Sequence, residues 1–319
     1  MSKSKKSKKA TTSKTKAPVQ GSSTMGGVDD VQGSSSGGID TQEAVESLRI
    51  EHDYELASAS RITVVIPYKA SPAKGKELLF ALRAWDKFIP NCRVIIIGDD
   101  PGPSIRTTDS PFGDDGVIHL EHTPTSPNPQ IDVAQKLLLA CESHLVNDYF
   151  ILSNDDIYPV CPITITDIDM HVAMGRLGVR GAAGSMYRSN SANTLNALQK
   201  EGIKSPFDFA THTPSVFWKK ELKEIILRFK ATEVGHLVGT LYFNVVWKDH
   251  RPIIVDNGIN DKHVGAKQYV ASVFKSGTKP ELIRRVFAER KFINNNDSGW
   301  DGVLPFLRKT FPDKSRFES

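Results

Sequence analysis

From residue 61 onward the apolar residues gather into short unbroken runs, and the polar residues collect between them. Residues 61–67, RITVVIP, are β-branched and apolar, which predicts a strand buried on both faces. Residues 76–89, KELLFALRAWDKFI, place Leu78, Leu79, Leu82, Trp85 and Phe88 or Ile89 at helical spacing, and Pro90 ends the run. Residues 92–101 form a second strand that empties into a Gly/Asp/Pro turn. GVIHLEH, residues 116–122, offers a third. A helix is expected over 132–145 with Asp132 as its N-cap, and a fourth strand over 148–155. Continuous apolar strands alternating with helices predict an α/β fold, a mostly parallel central sheet flanked by helices. In such sheets ligands bind beyond the carboxyl ends of the strands.

The second half carries weaker periodicity. ITITDIDMHV, residues 163–172, alternates enough to predict a strand. Helices are expected over 191–202, with Ser191 as cap and Gly202 as terminator, over 219–230, over 236–250 despite Gly239, and over 301–312 with Pro305 near its start. No internal repeat is visible. Residues 1–57 are Lys/Ser/Thr-rich and then Gly/Ser-rich, a composition that buries too little apolar surface to offset chain entropy. A short helix over 41–56 is the one element it offers. The expected organisation is a disordered basic tail, 1–57, and one α/β domain, 58–319, whose halves are 58–160 and 161–319.

Charge sharpens that division. The chain has a formal net charge of +4. Lys3, Lys5, Lys6, Lys8, Lys9, Lys14 and Lys16 supply seven positive charges, so residues 17–319 carry 4 − 7 = −3. The tail suits weak contact with a polyanion, or solvation alone; the domain does not. No apolar run reaches the roughly 18 residues that span a bilayer, and none follows the basic N-terminus as a signal peptide requires. Cys92, Cys141 and Cys161 are too scattered for a metal site, which points to reduced thiols and a cytoplasmic protein.

Three strand exits carry polar chemistry: Tyr68-Lys69, Asp99-Asp100 and Asn154-Asp155-Asp156. Adjacent carboxylates repel, so Asp155 and Asp156 call for a compensating cation, a basic partner or open solvent. Hard cations such as Mg²⁺ and Mn²⁺ take one or two carboxylates plus substrate phosphates. A solvated Asx turn is the plain alternative. Asp99 has the same two readings, a nucleotide contact or a turn acid. Lys69, Lys74 and Lys76 are candidate phosphate contacts. His212, in a Thr/Pro loop before a helix, suits acid–base work or phosphate binding, or simply caps that helix. His119 and His122, three apart in a strand, face opposite ways and make no metal pair. Asn295, Asn296 and Asp297 add oxygen ligands, Trp300 a flat stacking surface, and Ser298 or Asp301 a cap for the last helix.

Four stretches carry a resemblance. ELLFALRAWDKFIPNCRVIIIGDDP, DYFILSNDDIYPV, THTPSVFWKKEL and FINNNDSGWDGVLPFLRKTFPDKSRFE resemble, in the same order, segments of the Stealth-type sugar-phosphate transferases. More broadly the pattern resembles nucleotide-sugar transferases of the glycosyltransferase A fold. The resemblance implies a nucleotide-sugar donor and a bound Mn²⁺ or Mg²⁺. It matches Asp155 and Asp156 to the family's acidic pair, His212 to its histidine and Asn296-Asp297 to its C-terminal acidic site, which implies metal ligation by Asp155, Asp156 and Asp297 and catalytic roles for His212 and Asp156. The strand exits add Tyr68, Lys69, Asp99 and Asn154 as expected donor contacts, with 58–160 as the nucleotide-binding half and 161–319 as the acceptor half. The family's opening motif is Asp-rich and contains Trp, whereas this chain reads VVIPYKASPAKG. That difference favours glycosyl transfer over sugar-1-phosphate transfer. A non-catalytic carbohydrate- or nucleic-acid-binding protein and a nucleotide-sugar hydrolase are the rival classes. Polysaccharide, protein and modified DNA are the acceptors left open.

Overall fold

The computed structural model describes residues 61–70, 76–110, 116–255 and 272–319. The basic tail, the short helix expected over 41–56 and Lys74 lie outside the described residues. The central sheet has five strands, β1 (Thr63–Tyr68), β2 (Arg93–Gly98), β3 (Ile118–Glu121), β4 (Tyr149–Leu152) and β7 (Ser215–Trp218), in the order β3-β2-β1-β4-β7. The first four are mutually parallel, and β7 runs antiparallel to β4. The expected α/β class, a mostly parallel sheet flanked by helices, is what the chain forms.

Alternation along the strands splits the core. Val65, Ile95, Ile97, Ile118 and Phe150 pack under α2 (Pro129–Glu142), α5 (Lys219–Arg228) and α6 (Val238–Val246). Val64, Ile66, Val94, Ile96 and Ile151 face Leu78, Leu82 and Trp85 of α1 (Glu77–Phe88). Helix α1 is buried on two sides. Its Phe80, Ala81 and Ala84 meet a second sheet, in which β10 (Phe292–Asn295) lies between β5 (Ile157–Pro159) and β9 (Ser272–Phe274). Helices α7 (Pro280–Glu289) and α8 (Trp300–Thr310) close that layer. The chain therefore crosses from the large sheet to the small one within four residues, Ser153 to Asp156. That corner is the start of the candidate site.

Several expectations are corrected. Helix α2 begins at Pro129, with Asn128 as the cap that accepts from Gln130 N–H; Asp132 lies inside it and pairs with Lys136. Proline at N1 starts a helix without wasting a donor, which moves the boundary upstream. The strand expected over 163–172 is instead a turn of helix, α3 (Ile165–Ile168), followed by a two-residue strand, β6 (Val172–Ala173), paired with β8 (Ile253–Ile254). Thr164 and Asp167 form a reciprocal capping box, and it wins over the Ile/Thr alternation. Helix α4 (Met186–Lys200) starts from Ser185, while Ser191 is buried within it and hydrogen-bonds the preceding loop. Gly202 closes it with φ +85°, as expected. Helix α8 has no side-chain cap; Ser298 donates to Asn296 Oδ1 instead. Trp300 is 3% exposed and packs on Phe80 at 6.0 Å, so it offers no stacking face to a ligand. Cys92 and Cys141 are buried free thiols, both pushed up to about 12 by burial, and Cys161 is free as well.

Candidate functional site

Parallel strands order the exits. β1 ends at Tyr68, β2 at Gly98 and β4 at Leu152, so Tyr68, Asp99-Asp100 and the turn at Asp155-Asp156 share one edge of the sheet. The first two exits are tied together tightly. Gly98 adopts φ +138°, and a Cβ there would lie 1.9 Å from the Tyr68 carbonyl oxygen. That carbonyl accepts from Lys136 Nζ at 2.8 Å and from Asp99 N–H at 3.3 Å. Asp99 Oδ2 in turn accepts from Ala70 N–H at 2.8 Å, and Asp100 Oδ1 from Gly102 N–H at 2.8 Å. Lys136, 1% exposed, is neutralised by Asp132 at 2.9 Å, and His122 approaches the same carboxylate at 3.5 Å. The two histidines of β3 and its exit thus part: His119 bonds Gly98 O at 3.0 Å, and His122 faces Asp132.

Acidic groups accumulate at this edge. The Tyr68 phenol sits above its ordinary value through burial first, then through Asp155, Asp99, Glu77 and Asp100. Tyr68 is therefore a neutral phenol within the field of both acidic pairs. Asp156 is the most perturbed carboxyl, pushed up to about 7 by burial and then by Asp155 and Glu77. The residue as a whole is only half-buried, but its Oδ1 is sealed from solvent and has no hydrogen-bond partner among the described residues. Oδ2 accepts from Asn294 Nδ2 at 3.3 Å. Asn294, 2% exposed, leaves its own Oδ1 buried with no hydrogen-bond partner among the described residues. Two sealed oxygen acceptors thus lie in one contacting pair of side chains. Among the described residues Asp156 accepts from a neutral amide and forms no ion pair with a basic side chain.

The remaining expected residues are distributed as follows. β10 runs antiparallel to β5, with Asn294 opposite Ile157, so it carries the chain past Asp156 toward the same edge. Asn295 is buried there and accepts from Tyr158 OH at 2.8 Å. The backbone of Asp297 opens the short 3-10 turn that follows; its side chain is outside the described ones. Asn154 and Lys69 are exposed at their exits. His212 reaches the edge by β7, whose Ser215 pairs with Leu152, the last residue of β4. It holds φ +52°, a left-handed conformation that costs a non-glycine residue on the order of 1 kcal/mol or more. The imidazole keeps solvent access, yet the protein around it lowers its pKa below 6.5, an effect Asp208 partly reverses. It is neutral at pH 7 and able to accept a proton. Beside it, Asp169, His171, Thr211, Thr213 and Ser215 line a small depression.

Sequence reasoning missed three contributors. Glu77 looked like an ordinary first-turn acid but is 4% exposed. Asp208 sits between Phe207 and Phe209, and a polar residue between large apolar neighbours was the available signal; Asn294 opens the Asn-Asn-Asn-Asp run, where nothing set it apart from the residues after it. Among the described residues no three His, Cys, Asp or Glu side chains cluster as a metal site. A cation here would draw on two carboxylates and amide oxygen. No protein-family model matches the sequence, and no curated protein matches it.

Proposed function

We propose that the protein is a metal-dependent glycosyltransferase on the glycosyltransferase A plan, using a nucleotide-sugar donor. One observation carries the reading: Asp156 keeps a sealed oxygen with no hydrogen-bond partner among the described residues, beside a second carboxylate, at the corner where ligands meet this class of sheet. Burial and then Asp155 raise its pKa to about 7, so a neighbouring positive charge would favour its carboxylate form. The donor set fits a hard divalent cation, because all its atoms are oxygen: Asp155, Asp156 and the Asn294 amide. When bound, Mn²⁺ or Mg²⁺ supplies charge stabilisation to a diphosphate leaving group.

The protein's own groups complete the chemistry. Tyr68, held neutral, donates a hydrogen bond to the donor, and Asp99 accepts one from a ribose hydroxyl. His212, neutral at pH 7, takes the proton of the acceptor hydroxyl. The acceptor oxygen then bonds the anomeric carbon. The sugar–phosphate C–O bond breaks, and its electron pair leaves with the nucleoside diphosphate.

The test is a thermal-shift screen of nucleotide-sugars with and without Mn²⁺. The expected outcome is stabilisation by one donor class only when Mn²⁺ is present, and its loss in Asp156→Ala. Turnover of that donor with acceptor should release nucleoside diphosphate; release of monophosphate moves the reading to sugar-1-phosphate transfer. If no donor stabilises the protein in either condition, the enzyme reading falls.

A further inference from the structure

The loop before α4 carries a cation whose placement the proposed chemistry leaves unexplained. Arg180 Nη1 lies 2.7 Å from Asp208 Oδ2, and Asp208 is 1% exposed while the Arg180 side chain is 46% exposed. The other Asp208 oxygen accepts from Ala210 N–H at 3.0 Å, so the carboxylate is fixed. The arginine backbone is fixed too: its N–H donates at 3.1 Å to the hydroxyl of Ser191, which is fully buried in α4. A guanidinium has five donors in a rigid fork. The contact is an ion pair and not an aligned hydrogen bond, because Asp208 Oδ2 has no hydrogen-bond partner among the described residues; it holds the guanidinium over the buried acid and leaves its outer edge toward solvent.

The surroundings are those of a binding surface. Arg188, on the first turn of α4, bonds Gly181 O at 3.3 Å, so Arg180, Arg188 and Asp208 together leave a net positive charge. Gly181, at φ +102°, lets the loop fold against the Tyr187 ring, 3.1 Å from the glycine's Cβ position. Val179, Met186 and Tyr187 are each at least 40% exposed, three large apolar groups within nine residues. His212 lies four residues beyond Asp208, across a bend closed by Ala210 N–H to Asp208 Oδ1 and Thr211 N–H to Phe209 O.

We propose that Arg180, seated on Asp208, is an oxyanion-binding site beside His212 that selects an acceptor saccharide bearing a phosphate or carboxylate. The outer edge of the fork takes the oxyanion bidentately, and Tyr187 with its apolar neighbours supports the sugar ring. The anion site stands on its own geometry; its assignment to the acceptor rests on the transferase reading above.

The test uses the full-length protein without metal or donor. Inorganic phosphate is titrated and followed by 31P line broadening, and acetate and methyl phosphate serve as competitors. Wild type is expected to bind phosphate, Arg180→Gln to lose at least tenfold in affinity, and the surface control Arg228→Gln to match wild type. Arg180→Gln leaves Asp208 buried without its counter-charge, so Arg180→Lys is the decisive variant. It keeps the charge and the melting temperature but lacks the fork, and should bind phosphate several-fold more weakly. Stronger competition by methyl phosphate or by acetate names the source of the anion, and either result upholds the site. Asp156→Ala should bind phosphate as wild type does. The proposal is overturned if wild type binds none, if both Arg180 variants bind normally, or if Asp156→Ala alone removes binding. Since no metal or donor is present, failure of the transferase reading leaves this result intact, and the converse also holds.

Discussion

Asp156→Asn should raise the melting temperature of the metal-free protein at pH 8 by roughly 4–8 °C while removing its response to Mn²⁺. The Asp156 carboxyl is pushed from 3.8 to about 7 by folding. A raised carboxylate pKa means that the folded chain binds a proton more tightly than the unfolded one. This group therefore costs no stability below pH 3.8, costs progressively more as pH rises from 3.8 to 7, and costs its full amount above 7. Three pH units correspond to an upper bound of about 4 kcal/mol, and roughly half of that is a sober expectation for a half-buried residue. At 2–4 °C per kcal/mol for a chain of this size, the shift follows. The check is a melting curve in EDTA at pH 8 and pH 4.5 for both proteins, with the gap shrinking toward the lower pH. Comparing the two proteins at each pH removes the opposite contributions of Asp167 and Glu318, whose pKa values are lowered by Lys291 and Arg83 against the opposing effect of burial. A variant less stable than wild type at pH 8 would mark Asp156 as a satisfied structural acid, and the metal reading would lose its support.

Gly98→Ala should be the most damaging small substitution at the site, at about 3 kcal/mol or more. The added Cβ would lie 1.9 Å from the Tyr68 carbonyl oxygen and 2.9 Å from Lys136 Cε, at φ +138°. Backbone cannot yield as a side-chain tip can, so the exits of β1 and β2 would have to part. That breaks the Lys136 and Asp99 hydrogen bonds to Tyr68 O and displaces Tyr68 itself. Gly102→Ala is the matched control. It has φ +85° and no atom of the described residues within 4 Å of its Cβ position, so it pays the backbone conformation alone, on the order of 1 kcal/mol. Chemical denaturation of the two variants decides the point. Equal losses would mean that the close approach of the two exits is not what holds this edge.

What the sequence revealed was what local physics controls. VVIP, VIII and YFIL are continuous apolar runs, and β1, β2 and β4 form where they fall. Their exits carry the acids that the structure gathers at one edge, so Tyr68, Asp99, Asp155 and Asp156 were readable before the fold was known. The failures are those of competing or distant partners. ITIT has strand alternation, but Thr164 and Asp167 satisfy the helix-start donors and take the segment the other way. Trp300 stands among Asp, Ser, Gly and Asp, which suggests a surface, whereas Phe80, 220 residues earlier, covers it. The antiparallel β7 was hidden because its four residues run straight into α5. Arg180 and Asp208 are 28 residues apart, and no spacing rule joins them. Asn294 could not be singled out because its importance depends on its contact with Asp156, 138 residues away in the chain.

The account turns on a cation gripped by Asp156 and its neighbours. Mn²⁺ titration of the full-length protein, with free Mn²⁺ followed by electron paramagnetic resonance at pH 8 and pH 6, tests that most directly. One site is predicted, weaker at pH 6 because a proton competes for a carboxyl that titrates near 7, absent in Asp156→Asn and unchanged in Arg180→Lys. Wild type binding Mn²⁺ no better than Asp156→Asn, or equally well at both pH values, would contradict it.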